Sequence, residues 1–313
     1  MAKAWDFELF NKSFNEIDLH PVISIEETTK TSEVIELMAS KNIGCVPVSQ
    51  NGKLAGIFTE IDFALKCVND NSWSDKPISE FMTASPFSLG AEMTIMDAMK
   101  IFFKKSFRHI PIVDNEQKVK AVISVKDILK YVLRGNEDIL EDIGTLTDWS
   151  FLFVDKYTEN FSFDADESVG LNTSLFFTPL KRLYNTKGFL IVDKEILLKD
   201  AVSLMLQKKE TVFLVQEFGT KLIGIFTERD LLRKIRDKNF SELGNVKLSD
   251  YMTKNPDTLL HKHYLGHALN NMFSFNYRNI IIVDEDNFPL GQFNLLDVVK
   301  FLGRGLVEKN LMP

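Results

Sequence analysis

The sequence has few cysteines and lacks the short motifs that mark many enzyme classes. Two cysteines, Cys45 and Cys67, occur in 313 residues, and they form no close-spaced metal or redox motif. There is no Walker-type phosphate loop, no Gly-x-Ser-x-Gly and no His-Glu-x-x-His. We therefore expect a protein that is not an enzyme and needs no cofactor, with reduced cysteines in a cytoplasmic setting.

Two further absences concern charge and hydrophobic length. The formal net charge is −7, with 37 Lys and Arg against 44 Asp and Glu, which does not favour a nucleic-acid or membrane-surface partner. No apolar run approaches the length of about 18 residues that a membrane span needs. Asp6 and Glu8 interrupt the apolar stretch at the N-terminus, which a secretory signal would not contain.

The sequence does contain a seven-residue pattern that occurs four times. In each copy a small residue precedes two mostly apolar residues, then a short polar residue, with Asp three positions later; the copies are 56–62, 121–127, 224–230 and 291–297. The last Asp positions are 65 apart in the first pair (127 − 62) and 67 apart in the second (297 − 230). A period of this size predicts four similar units arranged in two pairs.

Helix and strand patterns surround each copy. Residues 95–102 place apolar side chains at i, i+3, i+4 and i+7, the spacing of one helical face, and similar helices precede the other copies. Asn51-Gly52 is a tight-hairpin signal. Short apolar strands follow the helices at 45–48, 110–113, 212–215 and 280–283. Each unit buries too little apolar surface to be stable alone, so we expect pairing.

These repeats resemble CBS domains, and each consecutive pair resembles a Bateman module. The residues that carry the match are Arg108 to Val113, Ser85-Pro86 after Phe81-Met82-Thr83, Tyr251-Met252-Thr253, and Gly224 to Asp230 followed by Leu231-Leu232. The resemblance implies an α/β (α+β) fold. It would consist of four CBS repeats of strand-helix-strand-strand-helix, paired into two Bateman modules.

The resemblance also divides the chain into segments. We expect an N-terminal segment 1–17, a first module 18–134 with repeats 18–75 and 76–134, a connector 135–180, a second module 181–303 with repeats 181–240 and 246–303, and a tail 304–313. The connector is too rich in aromatic residues for a flexible tether. It should therefore fold against one or both modules.

The Thr-x-x-Asp step, at the end of a strand and the start of a helix, can bind a ligand. The Thr hydroxyl and the first free N–H groups of the helix point toward the same place, which suits a phosphate. The Asp carboxylate can accept hydrogen bonds from a ribose diol, and bonds to a charged group contribute about 1.5–3 kcal/mol. In CBS proteins AMP, ADP and ATP bind in this way. The resemblance thus implies an adenine nucleotide as a regulatory ligand.

The candidate nucleotide-binding residues are the polar pairs of the first three repeats and their neighbours. They are Thr59, Asp62, Arg108, His109, Ile110, Pro111, Ser124, Asp127, Thr227, Arg229 and Asp230. The second repeat ranks first, because Arg108 and His109 accompany its pair and could meet phosphates. The fourth ranks last, because Asn294 replaces the hydroxyl residue.

Two alternatives to a nucleotide sensor stay open. Ser or Thr three residues before a carboxylate is nearly a capping box, so the pairs could simply cap helices in a ligand-free interaction or oligomerisation scaffold. The ligand could instead be another adenosine compound, such as S-adenosylmethionine, NAD or a cyclic dinucleotide.

Two charged clusters have simpler interpretations than a ligand site. Arg229, Arg233 and Arg236 share a helix face, where a solvated surface is the ordinary explanation. His261, His263 and His267 lack the cysteine or fourth ligand of a tight zinc site, so surface or capping roles are favoured and no metal is assigned. With no catalytic or DNA-binding domain visible, the output should be contact with an unidentified protein partner. A homodimer through helix faces is expected from the family.

Overall fold

The computed structural model describes residues 7–134, 176–217, 221–236 and 240–308. Within these ranges the four predicted repeats are all present. The first two contain β1 (Ile25–Glu26), α1 (Thr31–Lys41), β2 (Cys45–Gln50), β3 (Lys53–Thr59), α2 (Glu60–Asp62, continued by a π-helix at Phe63–Cys67), β4 (Thr83–Ala84), β5 (Leu89–Gly90), α3 (Ile95–Lys105), β6 (His109–Val113), β7 (Val119–Ser124) and α4 (Val125–Arg134).

The last two repeats follow the same order. They contain β8 (Leu190–Asp193), α5 (Leu198–Lys208), β9 (Val212–Glu217), β10 (Lys221–Thr227), α6 (Glu228–Lys234), β11 (Thr253–Lys254), β12 (Thr258–Leu260), α7 (Leu265–Ser274), β13 (Asn279–Val283), β14 (Pro289–Asn294) and α8 (Leu295–Glu308). The predicted fold class is therefore confirmed. Over the described residues, no helix combines the length and the apolar character that crossing a lipid bilayer requires.

Each repeat forms its own small sheet. The first strand pairs parallel with the second, as β1 does with β2, and a parallel pair needs a crossover, which the helix between them supplies. The second and third strands form a hairpin; between β2 and β3, Asn51 and Gly52 adopt φ values of 52° and 77°, as the turn prediction requires. In the first and third repeats, β4 and β11 from the following repeat extend the sheet.

The hydrophobic cores join repeats across the two modules. One core combines the second repeat with the fourth, and α3 and α4 lie against α8. The other combines the first repeat with the third, where the π-helical end of α2 contacts α5 and α6. A smaller cluster, with Leu214 and Ile281, joins the sheets of the third and fourth repeats. These helix faces are covered within the chain, so the homodimer, which stays a prediction, would need another surface.

The segments outside the modules are partly described. Phe10 and Phe14 near the N-terminus are buried in the core shared by the second and fourth repeats, as are Phe176 and Leu180 at the end of the connector. The rest of the connector, 135–175, lies outside the described residues, so its predicted packing and the segment boundaries stay predictions. Both cysteines are free thiols, and burial raises the pKa of Cys45 to about 12.

Candidate functional site

The Thr-x-x-Asp steps form helix caps in the first and third repeats. The backbone N–H and the hydroxyl of Thr59 donate to Asp62 Oδ2 at 2.9 and 2.6 Å, and the N–H of Asp62 donates back to Thr59 Oγ1 at 3.2 Å. Thr227 and Asp230 form the same reciprocal cap. The caps arise because a helix start leaves N–H groups without internal partners. One oxygen of each Asp is thus committed to its own helix.

The other oxygen of these two carboxylates binds a lysine one turn later. Lys66 Nζ lies 2.7 Å from Asp62 Oδ1, and Lys234 Nζ lies 2.7 Å from Asp230 Oδ1. Thr83, on β4, also donates to Asp62 Oδ1 at 2.9 Å. A ligand hydroxyl that approaches either Asp must therefore share this oxygen or replace one of its partners.

The second and fourth repeats treat the same Asp differently. Asp127 Oδ2 accepts from the N–H and hydroxyl of Ser124 at 2.8 and 2.6 Å, and these groups are exposed. Asp297 is only 9% exposed; its Oδ2 accepts from the Asn294 N–H, and its Oδ1 from the Asn185 side-chain amide at 2.5 Å. Asn185 also pairs with β14 through its backbone. The fourth Asp is thus bonded on both oxygens inside the fold.

A first cleft of about 490 Å³ lies between the first repeat and the start of the second. Thr59, Glu60 and Asp62 form one wall. The opposite side is the segment of residues 83–87 together with 106–109, which brings Phe87, Phe107, Arg108 and His109 to the cleft. The Phe87 and Phe107 rings, with centroids 6.3 Å apart, are both more than one-third exposed, so the cleft has an apolar aromatic mouth.

A second cleft of about 580 Å³ occupies the equivalent place between the third and fourth repeats. Thr227, Glu228 and Asp230 form one wall, and the segments 253–257 and 275–279 face them. Here Tyr277 stands where the first cleft has Phe107. Its hydroxyl donates to Asp257 Oδ2 at 2.6 Å. The two clefts therefore share a plan and differ in the polarity of the mouth.

Ion pairs join the two modules between the clefts. Arg108 Nη1 lies 2.7 Å from Glu228 Oε1, and Arg278 pairs with Glu60. Both glutamates are almost fully buried, with side chains 3% and 4% exposed. Arg229 adds a longer contact to Glu60, at 3.8 Å between Nε and Oε1. Each pair therefore links a repeat of one module to a repeat of the other.

The pairs follow an alternation along the chain. The residue immediately before the second strand is Arg108 or Arg278 in the even repeats and Gly44 or Thr211 in the odd repeats. A Cβ at Gly44 would lie 2.4 Å from Arg278 Nη2, so the glycine leaves room for that guanidinium. The first residue of the second helix alternates in the opposite sense, as Glu60, Val125, Glu228 and Leu295. At these two positions of the repeat, the arginine and the glutamate therefore meet across the modules.

Burial and neighbouring charges shift several pKa values at this junction. Burial raises the pKa of Glu60, although Arg278 opposes the shift. Burial acts on Glu228 in the same direction, but Arg108 and other favourable interactions hold its pKa below the usual value. Burial, with Arg278 and Arg108 nearby, lowers the pKa of His109 to about 3. His109 is therefore neutral near pH 7.

A third, smaller space, the central cavity, lies where all four repeats meet. Its volume is about 190 Å³. Its lining residues are Asn42, Arg108, His109, Ser124, Val125, Lys126, Arg229, Asn276, Tyr277, Arg278, Asn279, Asn294, Leu295 and Leu296. It shares Arg108 and His109 with the first cleft and Arg229 with the second.

The structure distributes the predicted site residues over these spaces. Thr59 and Asp62 line the first cleft, Thr227 and Asp230 the second, and Ser124 the central cavity. The other three candidates, Asp127, Ile110 and Pro111, line none of the three; Ile110 and Pro111 are buried in β6. No ligand contact tests these assignments, so they stay predictions.

The interpretation of Arg229 as part of a solvated face is wrong. Its side chain is 19% exposed, and its Nη2 donates to Asn42 Oδ1 at 2.7 Å. Its burial, with Arg278 close by, lowers its pKa to about 10. Arg236, farther along the chain, is 25% exposed and lies 3.2 Å from the exposed Glu36. Both arginines are therefore part-buried against residues of the first repeat.

Two histidines of the cluster accept hydrogen bonds from nearby backbone N–H groups, as capping residues do. His263 Nδ1 accepts from the Leu260 N–H at 3.3 Å, and His267 Nδ1 accepts from the Tyr264 N–H at 3.2 Å. The two rings stack with centroids 5.2 Å apart. In the described part of the chain, no group of three His, Cys, Asp or Glu residues is arranged to hold a metal ion.

The junction charges were the part of the site that the sequence interpretation missed. Glu60, Glu228 and Arg278 were not among the candidates, nor were Lys66 and Lys234. The signal was present in the repeats themselves, because Glu follows Thr only in the odd repeats and Arg precedes the strand only in the even ones. Comparing the four copies position by position would have shown this alternation.

Comparison with known proteins identifies the family of these repeats. The CBS domain model matches residues 15–68, 78–134, 181–237 and 248–304, which together make up more than half of the chain. The chain belongs to the CBS-domain family. A structure of MJ1225 from Methanocaldococcus jannaschii, described as a candidate archaeal homologue of g-AMPK, has a TM-score of 0.68 and 18% identity, covering 90% of this chain and 96% of that one. This similarity shows that the two chains share one overall fold.

Two curated relatives match over different lengths. Inosine-5'-monophosphate dehydrogenase of Aquifex aeolicus is 36% identical over 130 residues, covering 41% of this chain and 26% of that protein. The CBS domain-containing protein CBSCBSPB1 of Arabidopsis thaliana is 23% identical over 295 residues, covering 92% of this chain and 53% of that protein. The chain thus spans about a quarter to a half of the length of these two relatives.

Proposed function

We propose that this CBS-domain protein is a non-catalytic regulator that binds adenine nucleotides in the first and second clefts. The observation that carries the proposal is the arrangement common to both clefts. In each, a Thr-x-x-Asp step of one repeat faces an arginine-bearing segment of the next across an open cavity. Volumes of about 490 and 580 Å³ lie in the usual range of small-ligand pockets.

The chemistry of the walls suits the three parts of a nucleotide. Ile57, Pro86 and Phe87 give the first cleft an apolar side for a base, and Ile225, Pro256 and Phe275 do so in the second. Asp62 and Asp230 can accept hydrogen bonds from ribose hydroxyls. Arg108 and Arg278 can bind a phosphate through planar, bidentate hydrogen bonds.

Ligand binding would act on the ion pairs that join the modules. Arg108 and Arg278 line the clefts and also bind Glu228 and Glu60. A phosphate that contacts either arginine competes with its glutamate, so occupancy changes the strength of contact between modules. A ligand shifts such an equilibrium only through different affinities for the two arrangements. We propose that the change is read by a protein partner or a second copy of the chain, in the cytoplasm.

A thermal-unfolding panel tests this proposal. The full-length protein would be heated with AMP, ADP, ATP, S-adenosylmethionine, NAD or a cyclic dinucleotide. Ligand at about 100 times its dissociation constant should stabilise the folded state by roughly 2.7 kcal/mol. A shift with one of the last three compounds alone would point to a different adenosine ligand. No shift with any compound would contradict the proposal.

The scaffold alternative has one observation in its favour. The reciprocal caps at Thr59 and Thr227 satisfy the helix ends without a ligand, and lysines occupy the remaining carboxylate oxygen.

A pair of variants tests the ranking of the second repeat above the fourth as a nucleotide site. The sequence ranking predicts that Asp127→Ala weakens AMP or ATP binding more than Asp297→Ala. Binding in the two clefts predicts equal affinities, because neither carboxylate lines either cleft, and equal affinities would contradict the sequence ranking. Isothermal titration of both variants gives the result.

A further inference from the structure

The outer edge of the third strand is covered in three of the four repeats. β4 pairs with β3, and β11 pairs with β10, each through two residues. In the fourth repeat Asn185 exchanges both backbone hydrogen bonds with Gln292 of β14, at 2.8 and 3.0 Å. In the second repeat, by contrast, no described residue pairs with the outer edge of β7. β7 therefore has an open edge, which a further strand can join.

The sequence of the second repeat explains why this edge stays open. The other three repeats have glycine at the position of Ala121, and a Cβ there would lie 2.1 to 2.4 Å from the covering segment: Gly56, Gly224 and Gly291. The methyl group of Ala121 occupies that space. Residues 18–22, which precede β1 as the covering segments precede the other first strands, make no backbone hydrogen bond to β7. Leu19 packs into the core of the second and fourth repeats instead.

The carboxylate beside the open edge also lacks a donor that its counterparts have. Asp62 Oδ1 accepts a hydrogen bond from Thr83, and Asp297 Oδ1 accepts one from Asn185; both donors belong to the covering segments. Asp127 is exposed, and its Oδ2 caps its own helix. Its Oδ1 accepts no hydrogen bond from a described residue. The edge of β7 is therefore missing both a neighbouring strand and a side chain that donates to Asp127.

The open edge has opposite charges at its two ends. Lys120, near the start of β7, is exposed and makes no ion pair with a described residue, and Asp127 follows the end of the strand. Two copies of β7 that pair antiparallel about a two-fold axis at Val122 place Lys120 of each copy opposite Ser124 of the other. Directly opposed side chains lie on the same face, and the Ser124 hydroxyl donates to Asp127. The edge thus has the self-complementarity that a two-fold interface requires.

We propose that β7 is a dimer interface, in which a second copy of the chain adds its own β7 antiparallel to the first. The two Val122 residues exchange backbone hydrogen bonds, as Asn185 and Gln292 do within the chain. Lys120 of each copy donates to Asp127 Oδ1 of the other. The β-bulge in β7 does not prevent this pairing, because the other three repeats have the same bulge and their edges are covered. The proposal does not depend on nucleotide binding.

The first test compares one substitution in two equivalent strands of the full-length protein. Val122→Pro removes an N–H that no described residue accepts, and proline is tolerated on an open edge. Sedimentation equilibrium should show dimer dissociation at roughly thirtyfold higher concentration, because two backbone hydrogen bonds are lost per dimer. Gln292→Pro is the matched control, since its N–H is bonded to Asn185 inside the fold. It should lower stability in urea and change the dimer dissociation constant less than about twofold.

The second test reverses the charges and keeps every backbone group. Lys120→Glu places a carboxylate near Asp127 at both ends of the paired strands and should weaken the dimer about tenfold. The double variant Lys120→Glu with Asp127→Lys should restore the dissociation constant to within about threefold, as a direct contact between the copies requires. Lys53→Glu makes the same charge change at an exposed residue of β3, whose outer edge β4 covers, and should stay within about twofold.

Two results would overturn the proposal. The unaltered protein could sediment as a monomer from micromolar to several hundred micromolar concentration, which would leave the open edge to an extended segment of another protein. It could also form a dimer whose dissociation constant is the same in Lys120→Glu and Lys53→Glu, which would place the interface elsewhere. Urea unfolding of each variant checks that it is folded, and the charge variants decide the question if Val122→Pro is not.

Discussion

The odd and even repeats have one backbone plan but carry opposite charges at their meeting point. In the first and third repeats a glutamate begins the second helix, and no cation precedes the second strand. In the second and fourth repeats an arginine precedes the strand, and an apolar residue begins the helix. A repeat therefore cannot form this ion pair with itself. It must find its partner in a repeat of the other kind, which here belongs to the other module.

The difference also separates the candidate ligand spaces. Each cleft uses the Thr-x-x-Asp step of an odd repeat together with the arginine of the next even repeat. The central cavity instead uses the helix starts of the even repeats, where no glutamate stands. Alternation thus gives two clefts of mixed charge and one cavity of positive charge from four copies of one fold.

The largest effect is expected from reversing one charge of a cross-module pair. Arg108→Glu would face the buried Glu228 with a like charge, and we expect a loss of about 3 kcal/mol of unfolding free energy. The double variant Arg108→Glu with Glu228→Arg should regain most of that loss, as a direct pair interaction requires. Urea unfolding of both variants measures the effect.

The control for this charge reversal is Lys130→Glu, which makes the same change of charge at an exposed position. Its free energy of unfolding should stay within about 0.5 kcal/mol of that of the unaltered protein. If the double variant is no more stable than Arg108→Glu alone, the pairing between modules is not the stabilising contact we describe.

A second prediction compares His109 with its counterpart in the fourth repeat, Asn279. The folded state keeps His109 neutral down to about pH 3, whereas the unfolded chain takes up a proton near the ordinary pKa of about 6.5. Stability is therefore lost as the pH falls below 6.5, by about 1 kcal/mol on going from roughly pH 7.5 to roughly pH 5.5. His109→Asn should lose correspondingly less stability over the same interval.

Urea unfolding of both proteins at the two pH values measures this difference. The raised pKa of Glu60 acts in the opposite sense, because its folded state takes up a proton first as the pH falls. That contribution is present in both proteins and cancels in the comparison. Identical pH dependence of the two proteins would show that His109 is solvated and titrates normally.

The smallest effects concern the helix caps. Thr59→Ala and Thr227→Ala each remove a reciprocal cap and should cost about 1 kcal/mol. Ser124→Ala removes a more exposed version and should cost less. If the caps are also ligand contacts, the two threonine variants should additionally lose nucleotide-dependent stabilisation in thermal unfolding. Unchanged nucleotide shifts in both would favour capping alone.

The fold could be predicted from the sequence because its determinants are local and repeated. The spacing of apolar residues predicted the helices, and Asn51-Gly52 predicted a hairpin turn; the structure contains both. The first strand of a repeat is harder to place: β1 has only the two residues Ile25–Glu26, because only these pair with the neighbouring strand. Short edge strands depend on the partner strand and leave little trace in the sequence.

The site was harder to predict because its charges interact across the modules. Arg108 was read with Ser124 and Asp127 of its own repeat, but its closest anion is Glu228, 120 positions later. Sequence spacing cannot show which helix faces meet. The environment of Arg229 was misjudged for the same reason, since burial against another module removes a side chain from solvent that an isolated helix would expose.

Counting nucleotides per chain by isothermal titration tests the central claim most directly. The account predicts saturable binding of AMP or ATP at two sites per chain. Asp62→Asn should remove one of them and Asp230→Asn the other, while the ligand-free proteins unfold at similar temperatures. Absence of saturable binding, or binding that both variants leave unchanged, would contradict the assignment of the two clefts as nucleotide sites.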